Sequence, residues 1–108
     1  MKILSYHIDD LIADEDAVAE KLNWLCRQHT RRWKVESVCQ RFDEVFFLLT
    51  EQEEVRYTKY LIKSVKSATS DELKNEFMSH WETYHNCKGL IKITDREFLA
   101  VYEKVSQD

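Results

Sequence analysis

The chain contains no proline and a single glycine in 108 residues. A loop that cradles phosphate needs several glycines, because backbone amides must approach the ligand with no Cβ in the way. With Gly89 alone, the G-x-G-x-x-G and G-x-x-x-x-G-K designs for nucleotides are excluded, and so is the G-x-S-x-G nucleophile elbow. Cysteine is sparse as well: Cys26, Cys39 and Cys87 are odd in number, widely spaced and contain no C-x-x-C pair. Small secreted scaffolds carry an even, denser set, so free, partly buried thiols are expected. No apolar run approaches the roughly 20 residues of a membrane span. The opening stretch MKILSYHIDDLIADED meets acidic residues by Asp9 and has no signal-peptide core, so a cytoplasmic protein with no membrane partner is expected.

What is present suits one domain over residues 1–108, at 44% hydrophobic and 33% charged residues. A chain of this length buries roughly two-thirds of its unfolded surface, enough for a core without metal, disulfide or cofactor. Its net charge of −4, from 20 acidic and 16 basic residues, marks a small acidic protein. That balance argues against nucleic acid as a partner, since phosphates attract clustered Lys and Arg.

Apolar positions recur in phase between two halves, 1–51 and 54–105. KILSYHI (2–8) aligns with RYTKYLI (56–62), matching Tyr6 to Tyr60 and Ile8 to Ile62. EDAVAEKLNWLC (15–26) aligns with SDELKNEFMSHW (70–81), KVESV (34–38) with GLIKI (89–93), and VFFL (45–48) with LAVY (99–102). Val18, Leu22, Leu25 and His29 form one helical stripe behind Asp14, Glu15 and Asp16, whose charge suits a helix start. Leu73, Phe77, Trp81 and Tyr84 form another behind Thr69-Ser70-Asp71-Glu72, a capping box. The second helix is expected to stop near Asn86, with Gly89 supplying a positive φ in the exit turn. VFFLLT (45–50) is apolar on both faces and reads as a central strand. It is expected to pair in a hairpin with EVRYTKYLIKSV (54–65) across Glu51–Glu54. The fold class is therefore α+β: a duplicated β-α-β-β unit of about six mostly antiparallel strands, with two amphipathic helices on one face. In topology alone this resembles the ferredoxin-like sandwiches, a likeness that implies no function.

The nearest approach to a chemical motif is FMSHWETYHNCKGLIKI (77–93), which holds His80, His85 and Cys87 within eight positions. His80 and His85 fit the H-x₄-H spacing of zinc ligands. Five positions apart on a helix, however, they stand about 140° apart, so both converge only if the helix ends between them. A fourth ligand would have to come from Cys26 or His29. The bland alternative is a semi-buried His80, a helix-end His85 and a small core Cys87, and it is preferred. The matching positions in the first half, Leu25, Thr30 and Arg32, speak against a site. Asp9-Asp10 and Glu53-Glu54 read as solvated turns rather than catalytic carboxylates. The basic run Arg27 to Lys34 reads as a helix C-terminus complementing its dipole, with Trp33 turned inward.

Aromatic residues stand outside the helical stripes, and the second sheet face is left with nothing in the chain to cover it. Contiguous apolar surface of that kind marks an interface. The function expected is a non-enzymatic interaction protein, a homodimer or the binder of a protein partner. It would act through its sheet, with Phe47, Tyr57, Tyr60, Phe98 and Tyr102 at the contact. Two other expectations stand beside it: a pocket for metal or a small ligand near His80, His85 and Cys87, and an inhibitor of a nucleic-acid enzyme acting through acidic loops.

Overall fold

The computed structural model describes residues 1–28, 31–52, 58–66, 69–72, 74–75 and 86–105. The chain opens with strand β1 (Lys2–His7), a short helix α1 (Ile8–Ala13) and helix α2 (Glu15–Cys26). Strands β2 (Arg32–Arg41), β3 (Glu44–Gln52), β4 (Thr58–Lys66), β5 (Asn86–Lys92) and β6 (Glu97–Val105) follow. Residues 70–72 and 74–75 are also helical.

Local chemistry sets the helix boundaries. His7 leaves the strand in an extended conformation, and its Nδ1 accepts the amide of Asp9, capping α1. Asp14, at φ −152° and ψ 81°, ends α1, and its Oδ1 accepts the amide of Ala17 at 3.0 Å to cap α2. Asp9 and Asp10 therefore lie in the first turn of a helix rather than in a solvated turn, a correction to the sequence reading. The expected cap at Thr69 is present, with its Oγ1 accepting the amide of Glu72 at 3.1 Å. Val18, Leu22 and Leu25 are buried along α2 as their spacing predicts, together with Ala19 and Cys26.

The architecture is mixed α+β, with two three-stranded antiparallel sheets of order β1-β3-β2 and β4-β6-β5. VFFLLT is central as expected, but its partners are β1 and β2, and β4 pairs with β6 in the other sheet. The expected hairpin between the two is thus not formed. Nor do the six strands join into the one sheet that the ferredoxin-like likeness implies. The physical reason lies at the facing edges. The amide of Val35 in β2 donates to the hydroxyl of Tyr60 at 2.8 Å. The side-chain amide of Gln40 both accepts from Lys92 N–H (2.8 Å) and donates to Lys92 C=O (2.7 Å) in β5. Side chains occupy backbone groups that would otherwise pair β2 with β5.

The main core lies between the sheets and the helices. Ile8, Leu11, Val18, Leu22 and Leu25 meet Val35, Val45, Phe47 and Leu49 of the first sheet and Ile62, Ile91, Leu99 and Val101 of the second. Helix α2 packs on β4 as well as β2, so it belongs to both halves. Asn23 fastens it: its Oδ1 accepts Tyr60 N–H at 2.6 Å and its Nδ2 donates to Tyr60 C=O at 3.3 Å. A smaller cluster of Val65, Ala100 and Tyr102, flanked by Leu61, occupies the other face of the second sheet.

Gly89 is not in an exit turn and has no positive φ; it sits inside β5, beside a bulge between Cys87 and Gly89. A Cβ there would stand 2.8 Å from Val38 Cβ and 3.3 Å from its Cγ2, so glycine is required by the close approach of β5 to β2. Gly89→Ala is expected to lower stability by about 1–3 kcal/mol, most of it returned by Val38→Ala in the double variant. Chemical denaturation of the four proteins checks this; additive losses would contradict the contact.

Candidate interaction face

Among the described residues a chemical centre lies inside the protein and an apolar surface lies outside it. The inner centre gathers on Glu103, whose side chain is 0% exposed. Tyr60 donates its hydroxyl proton to Glu103 Oε2 at 2.7 Å while accepting the Val35 amide. Lys34 and Lys88 each place Nζ 3.7 Å from Glu103 Oε1, and Asn86 Nδ2 stands 3.5 Å from the same oxygen. Lys88 is the extra residue of the β5 bulge, a device that re-aims a side chain. Beneath this cluster the Cys26 thiol donates to the Trp33 carbonyl at 2.9 Å.

Burial pushes the Cys26 thiol up to about 11 and raises the Tyr60 phenol further still, the latter assisted by its bond to Glu103. Both hold their protons at neutral pH, and both protons are already committed to acceptors. The cluster acts as a clamp between β2, β4, β5 and β6. Because the folded chain keeps the Cys26 proton after the unfolded chain has lost it, stability is unaffected below the ordinary value of 9.0 and falls as pH rises from there towards 11. A loss on the order of 2 kcal/mol from Cys26 across that window is expected, and Cys26→Ala should remove its onset between pH 9.0 and 10.0, above which the raised Tyr60 phenol adds a loss of its own. Thermal melts of the two proteins between pH 8 and 11 check this; parallel curves would contradict it.

The outer surface belongs to the first sheet. Side chains alternate along β3, so Val45, Phe47 and Leu49 are buried while Phe46 and Leu48 are half-exposed on the opposite face. The strand register places Ile3, Leu48 and Ser37 in one row, Ser5, Phe46 and Cys39 in the next, and His7, Glu44 and Arg41 in the last. Ile3 is 56% exposed. Among the described residues, none of these nine joins either core cluster.

The hairpin that closes β2 onto β3 stands at the end of this face. Arg41 pairs with Glu44, leaving Phe42 and Asp43 as a two-residue turn. Phe42 has φ 53° and is 87% exposed. A positive φ in such turns is ordinarily supplied by Gly, Asn or Asp, and a bulky residue there costs about 1–2 kcal/mol. Phe42, His7, Arg41, Asp43, Glu44 and Phe46 line an open hollow of about 490 Å³.

The residues singled out from the sequence are distributed as follows. Phe47, Tyr60 and Tyr102 are buried in the chain's own interior, at 0%, 2% and 2% exposure. Phe98 is half-buried in β6, and Tyr57 lies outside the described residues. His80 and His85 also lie outside them, while Cys87 is a free, exposed cysteine whose thiol is raised by partial desolvation. Among the described residues no group of three or more His, Cys, Asp or Glu could hold a metal ion, and no helix is long and apolar enough to cross a membrane. Trp24, expected off the helical stripe, is 55% exposed with Lys21 Nζ 4.6 Å from its ring centroid. Trp33 is turned against the core as expected.

Comparison with known proteins returns nothing: no family model, no curated protein and no solved structure matches this chain.

Proposed function

We propose that this chain is a non-enzymatic interaction protein that self-associates through its first sheet. The observation that carries this reading is the face of exposed Ile3 and partly buried Phe46 and Leu48, which join neither core cluster among the described residues, flanked by an exposed Phe42 in a costly backbone conformation. Residues held at such cost cluster where function demands them. The face is also self-complementary in charge, since Arg41 and Glu44 lie side by side at its end. A two-fold contact needs that property, because each residue meets its partner's mirror set.

The chain is further read as one domain made of two β-α-β-β units, 1–51 and 54–105. Supporting the duplication are a shared strand order, with the third strand of each unit in the middle, and a bulge in the second strand of each. The common core between the sheets supports a single domain.

The test is the solution mass of wild type and Leu48→Asp by analytical ultracentrifugation, with circular dichroism as the control for folding. Wild type is expected to dimerise in the micromolar range and Leu48→Asp to weaken the dimer by at least about tenfold, since a half-exposed site tolerates the charge in the monomer. A wild type that stays monomeric at high micromolar concentration would overturn the reading.

A further inference from the structure

Charge is not spread evenly over this molecule. Strand register places the starts of β1 and β2 beside the end of β3, and the starts of β4 and β5 beside the end of β6. The Tyr60–Val35 and Lys34–Glu103 contacts bring those two groups of strand ends together, and Cys26 joins the C-terminus of α2 to them at Trp33. Cations collect there: Arg27, Arg31, Lys34, Lys59, Lys88 and Lys104. The acids of that end, among the described residues, are Glu36, Glu51 and the buried Glu103. The opposite end holds Asp9, Asp10 and Asp14 around α1, Asp43 and Glu44 at the β2–β3 turn, and Asp95 after β5.

Two features of the basic end call for negative charge from outside. Lys59 and Lys104 stand directly opposite one another in β4 and β6, both exposed, and among the described residues neither is ion-paired. Like charges so placed repel, at a cost in stability. Lys34 and Lys88 converge on one carboxylate oxygen, each at 3.7 Å, so one negative charge answers two positive ones. The acids of the far end are too distant to help. Strand β6, with 9 residues, covers about 30 Å at roughly 3.3 Å per residue. That is several times the Debye length of roughly 8 Å at physiological salt. The net charge of −4 therefore does not describe what a polyanion meets when it approaches the basic end.

An exposed aromatic ring adjoins these cations. Trp24 lies in the last turn of α2, three residues before Arg27, which makes the two side chains neighbours on the helix surface. Trp24 is 55% exposed, with Lys21 Nζ 4.6 Å from its ring centroid. Ammonium and guanidinium groups serve any polyanion, but an open indole among them adds affinity only for one that carries planar bases. Bases free to stack belong to a single strand rather than a duplex. We propose that this end binds single-stranded nucleic acid, with phosphates on Lys34, Lys59, Lys88 and Lys104 and a base stacked on Trp24 beside Arg27. The residues differ from those of the first-sheet face, so this contact does not depend on self-association.

Fluorescence anisotropy of a labelled oligothymidylate of about 12 nucleotides, titrated with the protein, tests this. Binding should weaken at least about tenfold between about 50 and about 200 mM salt. Reversing Lys59→Glu and Lys104→Glu together, both at exposed positions, should weaken it at least about tenfold at the lower salt, and Trp24→Ala by about tenfold. Lys66→Glu with Arg96→Glu, a matched reversal at the far end, should leave it unchanged, with circular dichroism as the control for folding. Absence of binding at the lower salt, or equal losses from the two reversals, would overturn the proposal. Polyglutamate held as tightly as the strand, with Trp24→Ala without effect, would overturn nucleic acid as the partner and put an acidic protein segment in its place.

Discussion

Glu103→Ala is expected to lose about 2–4 kcal/mol of folding stability, a large share of what a domain of this size possesses. The carboxylate is the meeting point of four elements: Tyr60 from β4, Lys34 from β2, and Lys88 and Asn86 from β5 all reach it in β6. Removing it does not strand the two lysines, whose side chains are 32% and 23% exposed and can return to water. The cost falls instead on the Tyr60 hydroxyl, left in the interior with its proton undirected, and on the cavity beside it. Tyr60→Phe attacks the same unit from the other side by depriving Glu103 of its donor and the Val35 amide of its acceptor, at about 2–3 kcal/mol. The double variant should be little worse than Glu103→Ala alone, because residues acting as a unit are not additive. Glu103→Gln keeps an acceptor of the same shape and should retain roughly half of the lost stability. Urea denaturation of the set decides; a Glu103→Ala loss below about 1 kcal/mol would show that the clamp contributes little.

Tyr102→Asp is expected to abolish cooperative folding outright. Tyr102 is 2% exposed among Val65, Ala100 and Leu61, and the substitution removes an aromatic ring while placing a charge where nothing apolar can compensate it. Loss of the ring costs about 3–5 kcal/mol and the unpaired charge several more, which together meet or exceed the total stability of a typical domain. The contrast with Leu48→Asp is the informative part. Both residues belong to central strands and both look apolar in sequence, yet one change should unfold the protein and the other should leave a folded monomer. Circular dichroism melts of the pair separate the outcomes; a cooperative transition in Tyr102→Asp would contradict its assigned burial.

Much of the framework was legible in the sequence. The stripe Val18, Leu22, Leu25 behind Asp14 identified α2, and the two-sided apolar character of VFFLLT identified a central strand, because periodicity and capping are local properties. Thr69 announced its helix start in the same way. The division into two sheets was not legible, since it depends on Gln40 meeting Lys92 and on Tyr60 meeting Val35, contacts between residues distant in the chain. Tyr60 and Tyr102 looked like surface aromatics for the same reason: whether a strand face is covered is decided by elements elsewhere. Glu103 was missed although a signal existed. It falls in phase with Leu99 and Val101 on the apolar side of β6, and an acid in that phase asks for a buried partner. His80 and His85 lie outside the described residues, while Cys87, expected as a small core residue, is exposed and Gly89, expected in an exit turn, lies inside β5.

Asn23 gives α2 a loyalty that crosses the boundary between the two halves. A helix encoded in the first half spends its hydrogen-bonding amide on Tyr60 in the second, and its apolar side fills a core to which both sheets contribute. Neither half can therefore be treated as a spare part. If the backbone were severed within residues 53–57, the fragments would each lack a wall and would find it only in one another. The covalent link sets the concentration at which they meet rather than the shape they take, so the molecule is in effect a tethered heterodimer of its own two ends.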